Sequence, residues 1–156
     1  MVACGHGSGS GPAQLGDIKL PPGFVISVYA EVPFARSMAL GADGTVYVGT
    51  RKDDKVYAVR DGDGDGRAEL VKVIAEDLDT PNGVAYRDGS LYVAEISRVL
   101  RLDGVDGVTA ETRPIEPAVV RDDFPADAHH GWKYLRFGPD GKLYVPVGAP
   151  CNVCAR

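Results

Sequence analysis

Two adjacent histidines, His129 and His130, are the residues whose type and position best suit chemistry. They stand just before an apolar run that leads into a Gly-Pro-Asp-Gly turn, so they lie where a predicted strand meets a loop. Imidazole takes up and releases protons near neutral pH, which suits it to general base catalysis. Exposed loop histidines without a catalytic role are the alternative, and the residues alone leave both interpretations open.

A second group with chemical potential is the acidic loop, residues 61–69, in which Asp61, Asp63 and Asp65 alternate with glycines. Closely spaced carboxylates supply the oxygen ligands that Ca²⁺ requires. The twelfth position of an EF-hand loop would be Lys72 instead of Glu, and no flanking helices are predicted, which excludes a standard EF-hand. The sequence therefore predicts either a looser calcium loop or a solvated acidic turn, with a structural role in both cases.

The histidines precede the third copy of a repeated hairpin pattern. Each copy has an Asp-Gly turn, one spacer, an aliphatic residue, a tyrosine and a valine. The turn glycines are 45 and 52 residues apart, at Gly44, Gly89 and Gly141. A repeat of this length built from strands is typical of β-propeller blades. Because the tyrosine recurs in all three copies, at Tyr47, Tyr92 and Tyr144, a packing role is favoured over ligand binding.

The segments around the hairpins predict the remaining strands of four-stranded blades. Strands are expected at residues 24–30, 56–60, 70–75 and 99–102, residues 103–128 are expected to be irregular, and no helical period is present. Six blades of about 45 residues need roughly 270 residues. We therefore expect an all-β, six-bladed β-propeller of which residues 17–156 form about three N-terminal blades. A complete small β-domain is the alternative.

Hairpin geometry predicts which end of the blades carries a site. The start of the first strand and the end of the second lie at one end, so the Asp-Gly turns mark one face and the entrances and exits mark the other. Functional residues usually lie on loops over a rigid scaffold. The entrance and exit face, called the site face below, is predicted to collect Arg36-Ser37, Thr50-Arg51, Pro81-Asn82, Glu95, His129-His130 and residues 149–152.

Composition narrows the classes of partner. The net charge is −5, from 17 Lys and Arg against 22 Asp and Glu. Since no basic stripe is present, a nucleic acid partner is not expected. The 20 glycines and 11 prolines suit an all-β fold of short strands. No apolar run approaches the ~18 residues of a membrane span.

The cysteines point to export. Val2-Ala3-Cys4-Gly5 is like the end of a bacterial lipoprotein signal, although the charged and hydrophobic regions that should precede it are missing. Residues 1–16 are predicted to be a flexible tether with an acylated Cys4 as the membrane contact, a chance cysteine being the alternative. A local disulfide between Cys151 and Cys154 is favoured over a reduced pair and suits an oxidising compartment. We expect an exported, periplasmic or outer-surface lipoprotein.

Residues 18–154 resemble the N-terminal half of the sorbosone/glucose dehydrogenases, six-bladed propellers that use pyrroloquinoline quinone (PQQ), and most closely the sorbosone-dehydrogenase-like branch. The segments that carry the resemblance are residues 19–24, 61–67, 81–85, His129-His130-Gly131-Trp132 with residues 137–141, and residues 148–154. The last two of these segments are more specific to the family than the Asp-Gly repeats are.

The resemblance implies roles for particular residues. A histidine before the third hairpin takes the proton of a substrate hydroxyl while hydride passes to the quinone, whose carbonyl is polarised by Ca²⁺. The matching position is His130, with His129 as the alternative. Arg36 and Asn82 are the predicted cofactor-binding residues. The implied function is PQQ-dependent oxidation of a sugar or hydroxy-aldehyde, with electrons passed to a separate acceptor. Most cofactor and calcium ligands are expected in later blades, so this chain alone is expected to be inactive.

The chain also departs from the glucose-oxidising members, which have an acid after the second strand that supports the histidine. Ala149 occupies that place here, so the orienting group is expected elsewhere, with Asp127 as a candidate, and glucose is less favoured as substrate. Two other functions stay open. One is a non-catalytic propeller that binds a partner. The other is a calcium-dependent lactonase, for which Glu95 and Asp127 are the acids of this face.

Overall fold

The computed structural model describes residues 15–149, 151 and 152. Within this range the regular structure consists of antiparallel strands and one short 3₁₀ turn, Leu15–Asp17. No helix in the described range is long and apolar enough to cross a membrane. The predicted tether, including Cys4, lies almost entirely outside the described residues.

The first blade is a four-stranded sheet in chain order, and it follows directly from the hairpin pattern. The Asp43-Gly44 turn is closed by a hydrogen bond from the amide of Thr45 to the Asp43 carboxylate, at 3.0 Å. Gly44 has a φ of 84°, which favours glycine. The strands are β1 (Ala35–Leu40), β2 (Val46–Thr50), β3 (Val56–Arg60) and β4 (Leu70–Ala75).

The second blade repeats this topology with β5 (Gly83–Arg87), β6 (Ser90–Ala94), β7 (Val99–Asp103) and β8 (Ala118–Arg121). The prediction that residues 103–128 are irregular is wrong at β8. This strand pairs only with β7, and all four of its residues are exposed. Because it buries neither face, it lacks the alternation of apolar and polar residues by which a strand is recognised.

The third hairpin is present but shorter than expected, with β9 (Arg136–Phe137) and β10 (Leu143–Tyr144) joined by a turn in which Gly141 has a φ of 78°. The first strands of the three units lie side by side, β5 next to both β1 and β9. Strands in this position surround the channel of a propeller. The all-β propeller class is thereby confirmed, whereas the number of six blades stays a prediction.

The predicted strand at residues 24–30 is not found. This segment joins no sheet and is tied to the acidic loop by two bonds of Tyr29. Its carbonyl accepts from the amide of Ala68 at 2.9 Å, and its hydroxyl accepts from the amide of Asp61 at 3.1 Å. Val25 is 93% exposed. A run of β-branched and aromatic residues becomes a strand only where a neighbouring strand forms backbone hydrogen bonds with it, and no described strand does so here.

The core lies within and between the blades, and the repeated tyrosines contribute to it. Tyr47 is fully buried, stacks on Tyr86 of the next blade at 5.9 Å and donates to the carbonyl of Val105 at 2.7 Å. Tyr92 packs edge-on against Phe137 of the third hairpin at 5.1 Å. The predicted packing role therefore holds for the first two copies.

Candidate functional site

The loop that carries the two histidines is shaped by two glycines. His130 has a φ of 59°, in the left-handed region that few non-glycine residues occupy. A Cβ added at Gly148 would overlap the carbonyl oxygen of His130, and a Cβ at Gly131 would overlap that of Asp127. Backbone conformations of this kind persist only where the surroundings fix them. Gly148 lets the strand exit approach His130 closely, and Gly131 lets the histidine loop fold back onto Asp127.

The imidazole of His130 is oriented by the backbone of the strand exit. Its Nδ1 lies 3.2 Å from the carbonyl oxygen of Ala149. A carbonyl oxygen can only accept, so Nδ1 must carry the proton, and in the neutral ring the lone pair is then on Nε2. The orienting group that the sequence analysis expected from Asp127 is thus the backbone carbonyl of Ala149. The Asp127 carboxylate makes no hydrogen bond with any described residue.

His129 lies directly against His130, with ring centroids 4.0 Å apart. It is exposed and makes no hydrogen bond within the described range. Both histidines border a cavity of about 120 Å³, together with Asp127, Lys133 and other loop residues. Both predicted histidines therefore line one small cavity, and their role in catalysis stays a prediction.

An arginine and a tryptophan extend this arrangement toward the first blade. The indole of Trp132 meets the His130 ring edge-on, with centroids 6.2 Å apart. The guanidinium carbon of Arg51 lies 3.6 Å above the same indole. Arg51 follows β2 directly, so the exit of the first blade touches the entrance of the third. Strand register predicted that Arg51 would lie on this face, but nothing in the sequence linked it to Trp132.

Lys133 is a buried member of the site that the sequence did not reveal. It is 1% exposed, and its amine donates to the carbonyl of Gly131 at 2.8 Å and to that of Ile96. Burial lowers the pKa of this amine. No described carboxylate pairs with it. A lysine between aromatic residues in a predicted strand indicates an outward-facing side chain, and only the loop geometry turns it inward.

Asn82, one of the two predicted cofactor-binding residues, is completely buried and joins three units. Its carbonyl accepts from the hydroxyl of Ser37 in β1 at 2.5 Å, and its side-chain amide donates to the carbonyl of Lys133 at 3.0 Å. Its Oδ1 has no partner within the described residues. These bonds give Asn82 a structural role, and its contact with a cofactor stays a prediction.

Arg36, the other predicted cofactor-binding residue, is exposed in β1 and forms no hydrogen bond or ion pair with the described residues. A free guanidinium matches the geometry of a carboxylate. Among the two candidates, Arg36 is therefore the one whose chemistry and exposure suit a tricarboxylated quinone such as PQQ.

Glu95 is closed to ligands. Its side chain is 1% exposed, with one oxygen accepting from the amide of Asp79 at 2.8 Å and the other from Nε of Arg98 at 2.5 Å. The same pairing raises the pKa of Arg98. A lactonase of the kind considered above needs carboxylates open to a cation, and Glu95 does not offer one.

The acidic loop gathers four carboxylates instead of the three predicted. Ligand oxygens of Asp61, Asp63, Asp65 and Glu69 all lie within 4.8 Å of one another. The amides of Gly66 and Gly64 donate to Asp61 at 2.9 and 2.7 Å, and these bonds lower the pKa of that carboxyl. Such a set of oxygens suits a hard cation. The loop joins β3 to β4 at the turn end of the blade, away from the histidines.

Cys151 is disulfide-bonded. Cys154 lies outside the described residues, so the predicted pairing of these two cysteines stays a prediction. A disulfide at this position directly follows the strand exit that orients His130, and it is consistent with the oxidising compartment that export implies.

Fold and site together define a chain of the β-propeller class with an oriented histidine at the loop end of its third unit. The chain belongs to the family of the domain of unknown function DUF7133, whose model matches residues 11–154. A search of curated proteins gave no match.

Among solved structures, the fold is similar to that of a protein from Thermus thermophilus provisionally described as an oxidoreductase (glucose dehydrogenase). The two chains are 23% identical, with a TM-score of 0.55 over 74% of this chain and 37% of the other. This likeness establishes the fold, and the present chain corresponds to 37% of the length of that protein.

Proposed function

We propose that this chain is the part of a quinone-dependent dehydrogenase that supplies the general base for oxidation of a sugar or hydroxy-aldehyde. The observation that carries the proposal is the hydrogen bond between Nδ1 of His130 and the carbonyl of Ala149. It fixes the tautomer with the lone pair on Nε2, which a base must have. The fold shared with a protein described as a glucose dehydrogenase supports the same class of reaction.

In the proposed reaction, His130 accepts the hydroxyl proton at Nε2. The carbonyl of Ala149 then stabilises the resulting imidazolium by accepting a charge-assisted hydrogen bond from Nδ1. The neighbouring ring of His129 and the indole of Trp132 limit how the imidazole can turn.

PQQ, when bound, would supply the two-electron acceptor for the hydride that leaves the substrate carbon. Arg36 is the residue of this chain that would hold it, through a carboxylate. Asn82 would act indirectly, by holding the first blade and the histidine loop against the second blade. The Ca²⁺ ion that would activate the quinone is proposed to be held by groups other than Glu95, whose two carboxylate oxygens are already bonded.

The test uses the complete gene product that contains these residues, reconstituted with PQQ and Ca²⁺ and assayed by dye reduction with aldoses and hydroxy-aldehydes. His130→Gln should lower kcat by at least about 100-fold, because a general base contributes that much or more. PQQ binding should stay within about threefold. If the loss occurs in His129→Gln instead, the role passes to His129. The proposal is wrong if the wild-type protein binds no PQQ and reduces no dye.

A further inference from the structure

Arg51 carries a positive charge that no described residue neutralises. The two nearest acids in the sequence are already engaged by Lys55, whose amine lies 2.6 Å from Asp54 and 3.4 Å from Asp53. Asp53 also accepts from the hydroxyl of Tyr57 at 2.6 Å. The guanidinium of Arg51 forms no ion pair and no hydrogen bond within the described range. All of its N–H donors are therefore available to a ligand.

The position of this guanidinium is fixed from two sides. Its carbon lies 3.6 Å above the centre of the Trp132 ring, a cation–π contact. The backbone amide of Arg51 donates to the carbonyl of Phe34 at 3.2 Å, which holds the start of the side chain. An arginine stacked in this way presents its planar fork with little further loss of freedom, and that fork matches a carboxylate through two parallel bonds.

The surroundings of Arg51 are open and carry a second cation. A cavity of about 380 Å³ is lined by Arg51, the exposed Lys52, and Asp53 and Asp54, the two acids that Lys55 neutralises. Asp79 also borders it, but its carboxylate accepts from the hydroxyl of Thr80 at 3.1 Å and forms no ion pair with Arg51. The space beside the guanidinium can therefore admit an anionic group.

His130 contacts the same indole, that of Trp132. The ring contacts of 3.6 and 6.2 Å place the guanidinium of Arg51 within about 10 Å of the His130 imidazole. A six-carbon chain spans roughly 6 Å when extended, and hydrogen bonds at its two ends add the rest. By its length alone, one ligand can bridge this distance, with a hydroxyl at His130 and an anion at Arg51.

We propose that Arg51 and Trp132 form a carboxylate subsite beside His130, so that the protein prefers a hydroxy acid of the aldonic or uronic type over a neutral aldose. The inference rests on the proposed function for the hydroxyl end of the ligand, but the subsite itself binds without turnover. A carboxylate of the quinone would use the same chemistry, and the two sources are separated by the arms of the test.

The test follows the fluorescence of Trp132, the only tryptophan of residues 1–156, in the complete gene product, where the difference between the wild type and Trp132→Phe isolates its emission. Gluconate and glucuronate should change its emission in a saturable manner, whereas glucose at equal concentration should not. Arg51→Gln should weaken this binding by at least about tenfold, since a charge-assisted bidentate pair is lost. Arg51→Lys keeps the charge but not the planar fork, so its affinity should lie between those of the wild type and Arg51→Gln. Circular dichroism checks that the variants are folded.

Arg67→Gln is the matched control, because it removes the same charge from an exposed arginine in the acidic loop at the opposite end of the blade. It should bind gluconate like the wild type. In a separate arm, PQQ binding to wild type and Arg51→Gln is measured by equilibrium dialysis. If only PQQ binding depends on Arg51, the carboxylate belongs to the quinone. If no carboxylate binding depends on Arg51, the subsite does not exist, whatever the dye-reduction assay shows.

Discussion

Asp61 shows how a single carboxylate can organise a loop before any ligand binds. It accepts two backbone amides, from Gly66 and Gly64, and these bonds hold the pKa of its carboxyl below the ordinary value. A carboxyl with a lowered pKa in the folded state stabilises the fold above the unfolded pKa of about 4. That contribution is lost as the pH falls through the folded pKa.

Replacing this residue should therefore have an effect that depends on both pH and calcium. Asp61→Asn should lower the thermal midpoint at neutral pH without calcium, and the difference from wild type should shrink below about pH 4. Added Ca²⁺ should raise the midpoint of the wild type and not of the variant, since only binding to the folded state stabilises it. Scanning calorimetry measures both effects.

Asp122→Asn serves as the control, because Asp122 is exposed and makes no hydrogen bond within the described residues. A midpoint of the wild type that does not respond to millimolar Ca²⁺ would leave the loop as a solvated acidic turn.

Among the elements, the histidine loop is the one that the sequence describes least well. The two histidines and the strand register could be read from the sequence, and so could the face on which they lie. The inward turn of Lys133 could not, because it depends on the carbonyls of Gly131 and Ile96, which come together only in the folded chain. The bond between His130 and the Ala149 carbonyl could not be predicted for the same reason.

The buried amine of Lys133 predicts how this loop responds to alkaline pH. Its pKa is lowered by burial, so the unfolded chain binds more protons between the folded pKa and about 10.4. The wild type should therefore gain stability as the pH rises through that window. Lys133→Met should be less stable at pH 7 by about 1–3 kcal/mol, because two carbonyls lose their donor. Its deficit should grow toward pH 10.

Urea unfolding of wild type and Lys133→Met at the two pH values measures the difference. Lys142→Met removes an exposed amine from the third hairpin and controls for the general effect of charge, since the Lys142 side chain is 79% exposed. A deficit that is the same at both pH values would show that the amine does not titrate differently in the folded protein.

At the scale of the whole molecule, the blades are joined by one repeated contact. Tyr86 and Phe137 occupy the same position in successive blades. Each pairs across its hairpin with the leucine that directly precedes the repeated tyrosine of that hairpin. Tyr47 contacts the first of them and Tyr92 contacts the second. The repeat in the sequence thus specified both the blades and the way in which each blade meets the next.

Tyr47→Phe tests how much this contact contributes beyond ring packing. The change leaves the carbonyl of the buried Val105 without its donor, so the free energy of unfolding should fall by about 1–3 kcal/mol. Tyr144→Phe is the matched change in the third hairpin, where the tyrosine is 55% exposed and its hydroxyl meets Asp140 at 3.2 Å. It should cost less than about 0.5 kcal/mol.

Chemical denaturation of the two variants gives the comparison. Equal losses would mean that the hydroxyl of Tyr47 contributes no more to the free energy of unfolding than a surface hydroxyl does.

What the repeat could not predict is the edge of each unit. The strand β8 and the segment 24–30 depend on which neighbour supplies a ladder, and periodicity contains no information about neighbours.

Gly148 has a consequence for recognising related proteins from their sequences. A Cβ at this position would overlap a backbone atom of residue 130, so the requirement for glycine does not depend on which side chain residue 130 carries. A family member with another residue at position 148 must hold the loop in a different shape, even if it keeps the histidine. Family members with glycine at position 148 can keep the loop geometry that orients the histidine. Members that have the histidine but another residue at position 148 keep the imidazole without that geometry.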